Sequence, residues 1–88
     1  MAEIIRTNGE REPVEPKNGN DFNLQEITDI VNGYIEIAET TDGRLMVLNE
    51  EGKLLGLPFN PVATELYKYN TNDFIVGDVL VCDRNQIK

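Results

Sequence analysis

The chain has no histidine, no serine and no tryptophan, and only one cysteine. Without histidine, the commonest metal ligand and the usual general base near neutral pH are both missing. Without serine and histidine together, no hydroxyl–imidazole triad can be built. A lone Cys82 excludes an internal disulfide and any multi-cysteine zinc site, and it points to a reducing compartment. Basic residues are scarce as well, eight against sixteen acids for a net charge of −8. A nucleic-acid binder needs a basic face, so direct DNA or RNA binding is not expected. No apolar run approaches the ~20 residues that span a bilayer, so no membrane association is expected. The opening stretch MAEIIRTNGERE lacks the pattern of a cleavable leader, which favours the cytoplasm.

What is present suits one small domain. A chain of 88 residues buries only about 60–65% of its unfolded surface. Stability should fall at the low end of roughly 5–15 kcal/mol, and pairing with a second copy would help complete the core. A homodimer or higher homo-oligomer is therefore expected. The acids are unevenly spread: residues 21–43 hold Asp21, Glu26, Asp29, Glu36, Glu39 and Asp42 and no base. That stretch is read either as a solvated face or as an acidic surface aimed at a basic partner.

Local patterns predict an α+β fold, a small and mainly antiparallel sheet of four to six strands with one or two short helices on one side. Residues 1–20 read as an N-terminal strand, a proline-bearing ribbon and a loop; residues 21–83 as the core; residues 84–88 as a frayed tail. Leu24, Ile27, Ile30 and Val31 form one helical stripe. Asn23 and Glu26 make a capping box before it, and Asn32-Gly33 is a left-handed stop after it. Asp42-Gly43 is the two-residue signal for a type I′ hairpin turn, which would set Glu39 opposite Met46 and Ile37 opposite Leu48. Leu45–Leu48, apolar on both faces, should be a central strand. Residues 61–69 read as a short helix or an extended segment, and 74–83 as closing strand material with a bend at Gly77-Asp78.

Leu24-Gln25, Gly33, Ile35-Glu36, Asn49-Glu50-Glu51-Gly52-Lys53-Leu54, Gly56-Leu57-Pro58, Asn60 and Ile75-Val76-Gly77 together resemble a small family of unknown function. That family is widespread in bacteriophages, plasmids and the bacteria carrying them. The resemblance covers about residues 3–83 and implies a mobile-element setting inside a bacterial host cell, with no settled chemistry. Two positions depart from its pattern. Asn32-Gly33 stands where a double glycine is usual, and Pro61 stands where arginine often follows Asn60, which weakens an anion-binding role there.

The stretch NEEGKLLGLPFNP carries the candidate ligand site. Lys53 offers a cation, Asn49 and Asn60 offer amides, and Gly52 and Gly56 let backbone N–H groups approach a ligand. Arg44 and Tyr34 could join through the sheet. The competing structural reading has the glycines serving turns and Lys53 solvated. The spacing is not that of a phosphate-binding P-loop. Glu50-Glu51 reads as a solvated turn rather than a metal site, and Cys82 as a core residue. No catalytic residue and no cofactor is implied.

These features favour a non-enzymatic phage or mobile-element binding protein. It would antagonise host defence by sequestering a nucleotide signal or by docking on a defence protein. An acidic nucleic-acid mimic and a structural accessory protein without a small ligand are the alternatives.

Overall fold

Residues 2–87 are described by a computed structural model. Five strands form one antiparallel sheet: β1 (Ala2–Ile5), β2 (Arg11–Val14), β3 (Ile35–Glu39), β4 (Leu45–Asn49) and β5 (Val79–Cys82), in the order β2-β1-β5-β4-β3. The α+β class expected from sequence is the one observed. The midline belongs to β5, whose four residues are all buried. Alternate side chains of a strand face opposite sides, so Leu80 and Cys82 enter one core and Val79 and Val81 the other. Complete burial of a valine or leucine side chain is worth about 1.5–3 kcal/mol, so this short strand anchors both layers. β4 is also internal, with Met46 and Val47 buried on opposite faces, as its two-sided apolar pattern implied.

A helix packs against each face, rather than both on one side as the sequence suggested, because β4 and β5 are apolar on both faces and each needs cover. Helix α1 (Leu24–Val31) sets Ile27 and Val31 against Val47 and Leu80. Its capping box is complete, because Asn23 Oδ1 accepts the Glu26 N–H at 2.8 Å and Glu26 returns the contact at 3.1 Å. Asn32 ends it at φ 66°. Helix α2 (Pro61–Leu66) packs Ala63 against Met46, Val79 and Val81 on the other face. It begins with proline at its first turn and Asn60 as its cap, and it ends at Leu66, short of the 61–69 span read from sequence.

The β3–β4 hairpin corrects the sequence expectation. Glu39 pairs with Leu45, Ala38 with Met46 and Glu36 with Leu48, one position away from the type I′ register. Gly43 takes φ 87°, but Asp42 is not among the residues with positive φ. The reason is Thr40. Its hydroxyl accepts the Arg44 N–H at 2.9 Å and bonds the Asp42 carboxylate, while Thr40 N–H reaches Arg44 O at 3.1 Å. The loop is therefore three residues, Thr41-Asp42-Gly43, with only its last in the left-handed region.

Two further differences appear in the last third. Ile75-Val76 make no strand; Val76 forms a lone bridge to Phe59 before Gly77 bends the chain at φ 78°. The segment expected to fray is tied down over 84–87. Arg84–Gln86 is a 3-10 turn, Gln86 O accepts the Phe22 N–H at 2.8 Å, and Ile87 packs on the α1 core. Lys88 lies outside the described residues. No helix is long and apolar enough to cross a membrane among the described residues.

Candidate binding surface

The seven residues singled out in the sequence divide between the interior and the rim. Asn60 is fully buried. Its Nδ2 donates to the carbonyls of Ile5 (3.0 Å) and Gly77 (2.8 Å), and its Oδ1 accepts the Ala63 N–H (3.0 Å). One amide thus joins β1, the Gly77 bend and the start of α2. Asn49 is buried as well. Its Nδ2 donates to Val31 O (3.1 Å) and Asn32 O (3.4 Å), closing the end of α1, and its Oδ1 accepts the Glu51 N–H (2.8 Å). A Cβ at Gly33 would stand 2.8 Å from Asn49 Nδ2, which explains the glycine there. Gly52 is buried too, and a Cβ on it would meet Val76 Cγ2 at 2.8 Å. Its closeness is to the protein's own core.

The others are exposed or lie elsewhere. Gly56 turns at φ 70° beside open space. Tyr34 is 73% exposed. Arg44 sits at the far end of β4, bridging Asp42 (2.8 Å) and Glu3 (3.1 Å). Those contacts hold Asp42 down to about 2, chiefly through the Arg44 side chain and then the Thr40 hydroxyl. Glu3 is also held below the usual carboxylate range, first by Arg11. Lys53 is half exposed, paired with Asp73 and placed 4.4 Å from the centre of the Phe74 ring. Burial, with Asp83 adding to it, pushes the Cys82 thiol up to about 11; it is a protonated core residue.

Lys53 and Asn49 line one groove, of about 90 Å³, on the α2 face of the sheet. Glu36, Glu50, Tyr67, Asp73 and Phe74 complete its rim, over a floor that includes Ala38 and Leu48. Glu36 and Glu50 are diagonal neighbours, since Glu36 pairs with Leu48 two residues before Glu50. Sequence reasoning passed over Glu36, Asp73 and Phe74 because only long-range folding brings them together. The cap role of Asn60 did have a signal: asparagine followed by proline ahead of a helical run. Beside the groove Phe59 and Phe74 are exposed and meet edge to face at 6.0 Å, and Leu54 (84% exposed) and Leu55 are exposed in the turn that follows Lys53. No group of three metal-ligating side chains comes together among the described residues.

A family model described as a domain of unknown function, DUF3846, matches residues 2–87. The chain belongs to this family. No curated protein and no solved structure matches it. The DUF3846 match takes in the buried amides, the groove and the apolar surface alike, so all three lie within one family domain.

Proposed function

We propose that this DUF3846 domain is a non-catalytic binding protein that docks on another protein through the surface formed by Leu54, Leu55, Phe59 and Phe74. The exposed apolar cluster carries this reading. Large apolar side chains exposed in one part of a small domain mark a contact site more often than scattered single residues do; here Phe59 and Phe74 touch edge to face, Lys53 lies over the Phe74 ring, and the adjoining Leu54 and Leu55 are exposed. The resemblance to phage and plasmid proteins makes a host defence protein the foremost partner class.

The protein-partner version has more support than nucleotide sequestration. Small-molecule pockets run to roughly 300–1,000 Å³, against about 90 Å³ for the Lys53 groove. A wider depression of about 390 Å³ is lined by Ala2, Pro13, Val14, Glu15 and Gln86, with no cation among its described lining residues to meet a phosphate. Asn49 and Asn60 have their amides committed to backbone groups. The decoy reading has less support too. Most acids of residues 21–43 serve local contacts: Glu26 in the cap, Asp29 with Gln25, Glu39 with Arg84 and Asp42 with Arg44.

The test is affinity purification from host cells of the wild type and a Leu54→Glu/Leu55→Glu variant, with mass analysis of bound small molecules. A host protein held in stoichiometric amount by the wild type and lost by the folded variant is the expected result. A bound nucleotide without a protein, or equal retention by both, would overturn it.

A further inference from the structure

The two edges of the sheet are finished differently, and the difference points to an occupant. On β2 the outward-facing positions are Arg11 and Pro13, because Glu10 O accepts Arg6 N–H on the inner side and the direction alternates along the strand. Pro13 has no N–H to offer a further strand. On β3, Thr40 N–H bonds Arg44 O and Tyr34 O accepts Glu50 N–H, so the even-numbered residues face β4. The odd-numbered ones face outward. Glu39 O accepts Lys68 N–H (3.0 Å) and Thr41 N–H donates to Leu66 O (2.8 Å), which closes that end of the edge. Ile35 and Ile37 have no such cover among the described residues, and they present a short row of free N–H and C=O groups.

The unpaired charge beside this open edge among the described residues is acidic. Glu36 stands between the two isoleucines and shares the groove with Glu50, and no cation among the described residues pairs with either. Lys53, on the same groove, is already paired with Asp73. A second copy of the chain would set Glu36 close to its own equivalent across the new ladder, which repels.

We infer that the Ile35–Ile37 edge takes an extended basic segment of a partner protein. The segment adds as a sixth strand by main-chain hydrogen bonds and places a lysine or arginine between Glu36 and Glu50. Main-chain pairing supplies the docking and the groove supplies the preference for a cation. This inference rests on the docking reading above and names the chemistry of the partner.

The test uses a short, terminally blocked peptide of alternating lysine and valine, with a glutamate–valine peptide as control, against the full chain by amide-resolved NMR. The Ile35 and Ile37 amides should shift and gain exchange protection with the basic peptide alone. Binding should weaken as salt rises. Glu36→Gln/Glu50→Gln should lower affinity about tenfold, the scale of one lost charge-assisted contact, with the remaining amide spectrum unchanged. No binding, equal affinity for the control peptide, an unaffected variant, or a dimer in which the same amides are protected without peptide would each overturn it. If these fail while the Leu54–Leu55 surface still retains a host protein, only the edge assignment falls. If that retention is lost as well, the docking reading falls with it.

Discussion

Asn60 and Lys53 lie in the same glycine-rich stretch and look equally suited to grip a ligand, yet they belong to different parts of the molecule. Around Asn60 and Asn49 the protein is closed: each amide is buried and each of its polar atoms is bonded to backbone. Around Lys53 the protein is open: the charge is half exposed, its partner is another surface charge, and its neighbours Leu54 and Phe74 face outward. A buried polar group is costly unless fully bonded, whereas an exposed ion pair contributes little. The first region therefore determines whether the chain folds, and the second is free to meet a partner.

Replacing Asn60 with alanine is the strongest way to break this contrast. It removes the α2 cap, worth about 1 kcal/mol, and strands the carbonyls of Ile5 and Gly77. The expected loss is about 3–5 kcal/mol, with unsatisfied buried groups costing roughly 1–3 kcal/mol each, a large share of the stability of so small a domain. Urea denaturation reads it. A loss below about 1 kcal/mol would show that Asn60 is not the tie the geometry makes it.

The Asp42–Arg44–Glu3 contacts stand between the two extremes, partly covered and partly wet. Asp42 has a folded pKa near 2, below its ordinary 3.8. A carboxylate depressed on folding stabilises above its unfolded value and loses that contribution as pH falls through the folded one. Stability should therefore decline between about pH 4 and pH 2. Because the Asp42 side chain is nearly half exposed, its share is about 0.5–1 kcal/mol after solvent screening. Asp42→Asn should flatten that part of the acid titration of thermal stability, and an unchanged profile would assign the decline to other carboxylates.

Lys53→Ala should have the smallest effect on folding, below about 0.5 kcal/mol, as for other exposed pairs. A cost several times larger would mean that the Lys53–Asp73 contact braces the 67–76 segment and would draw the two regions together.

Much of the architecture was legible along the chain because it depends on neighbours in sequence. The α1 boundaries follow from a capping box, an apolar stripe and a left-handed asparagine, all within ten positions or so of one another. The first strand pair, with its proline on the outer edge, follows from the same kind of local grammar. The hairpin register did not, because the Thr40 hydroxyl outbids a two-residue turn by bonding both Asp42 and Arg44. The consequence reaches the candidate site. In the expected register Glu36 would face away from Glu50; in the observed one they share a groove, since a slip of one residue exchanges the faces of a strand.

Sequence by itself determined the class of fold, the single helix in front of the hairpin, the burial of Cys82 and the two-sided core strand β4. These rest on periodicity and on local hydrogen bonds. Tertiary structure alone decided that Asn49 and Asn60 work as interior ties, that Asp73 and Phe74 meet Lys53, and that, among the described residues, nothing covers the Ile35–Ile37 edge or pairs with the two carboxylates beside it. Each of those depends on groups far apart in the chain, whose meeting is set by how strands and connectors pack rather than by any pattern a linear reading can hold.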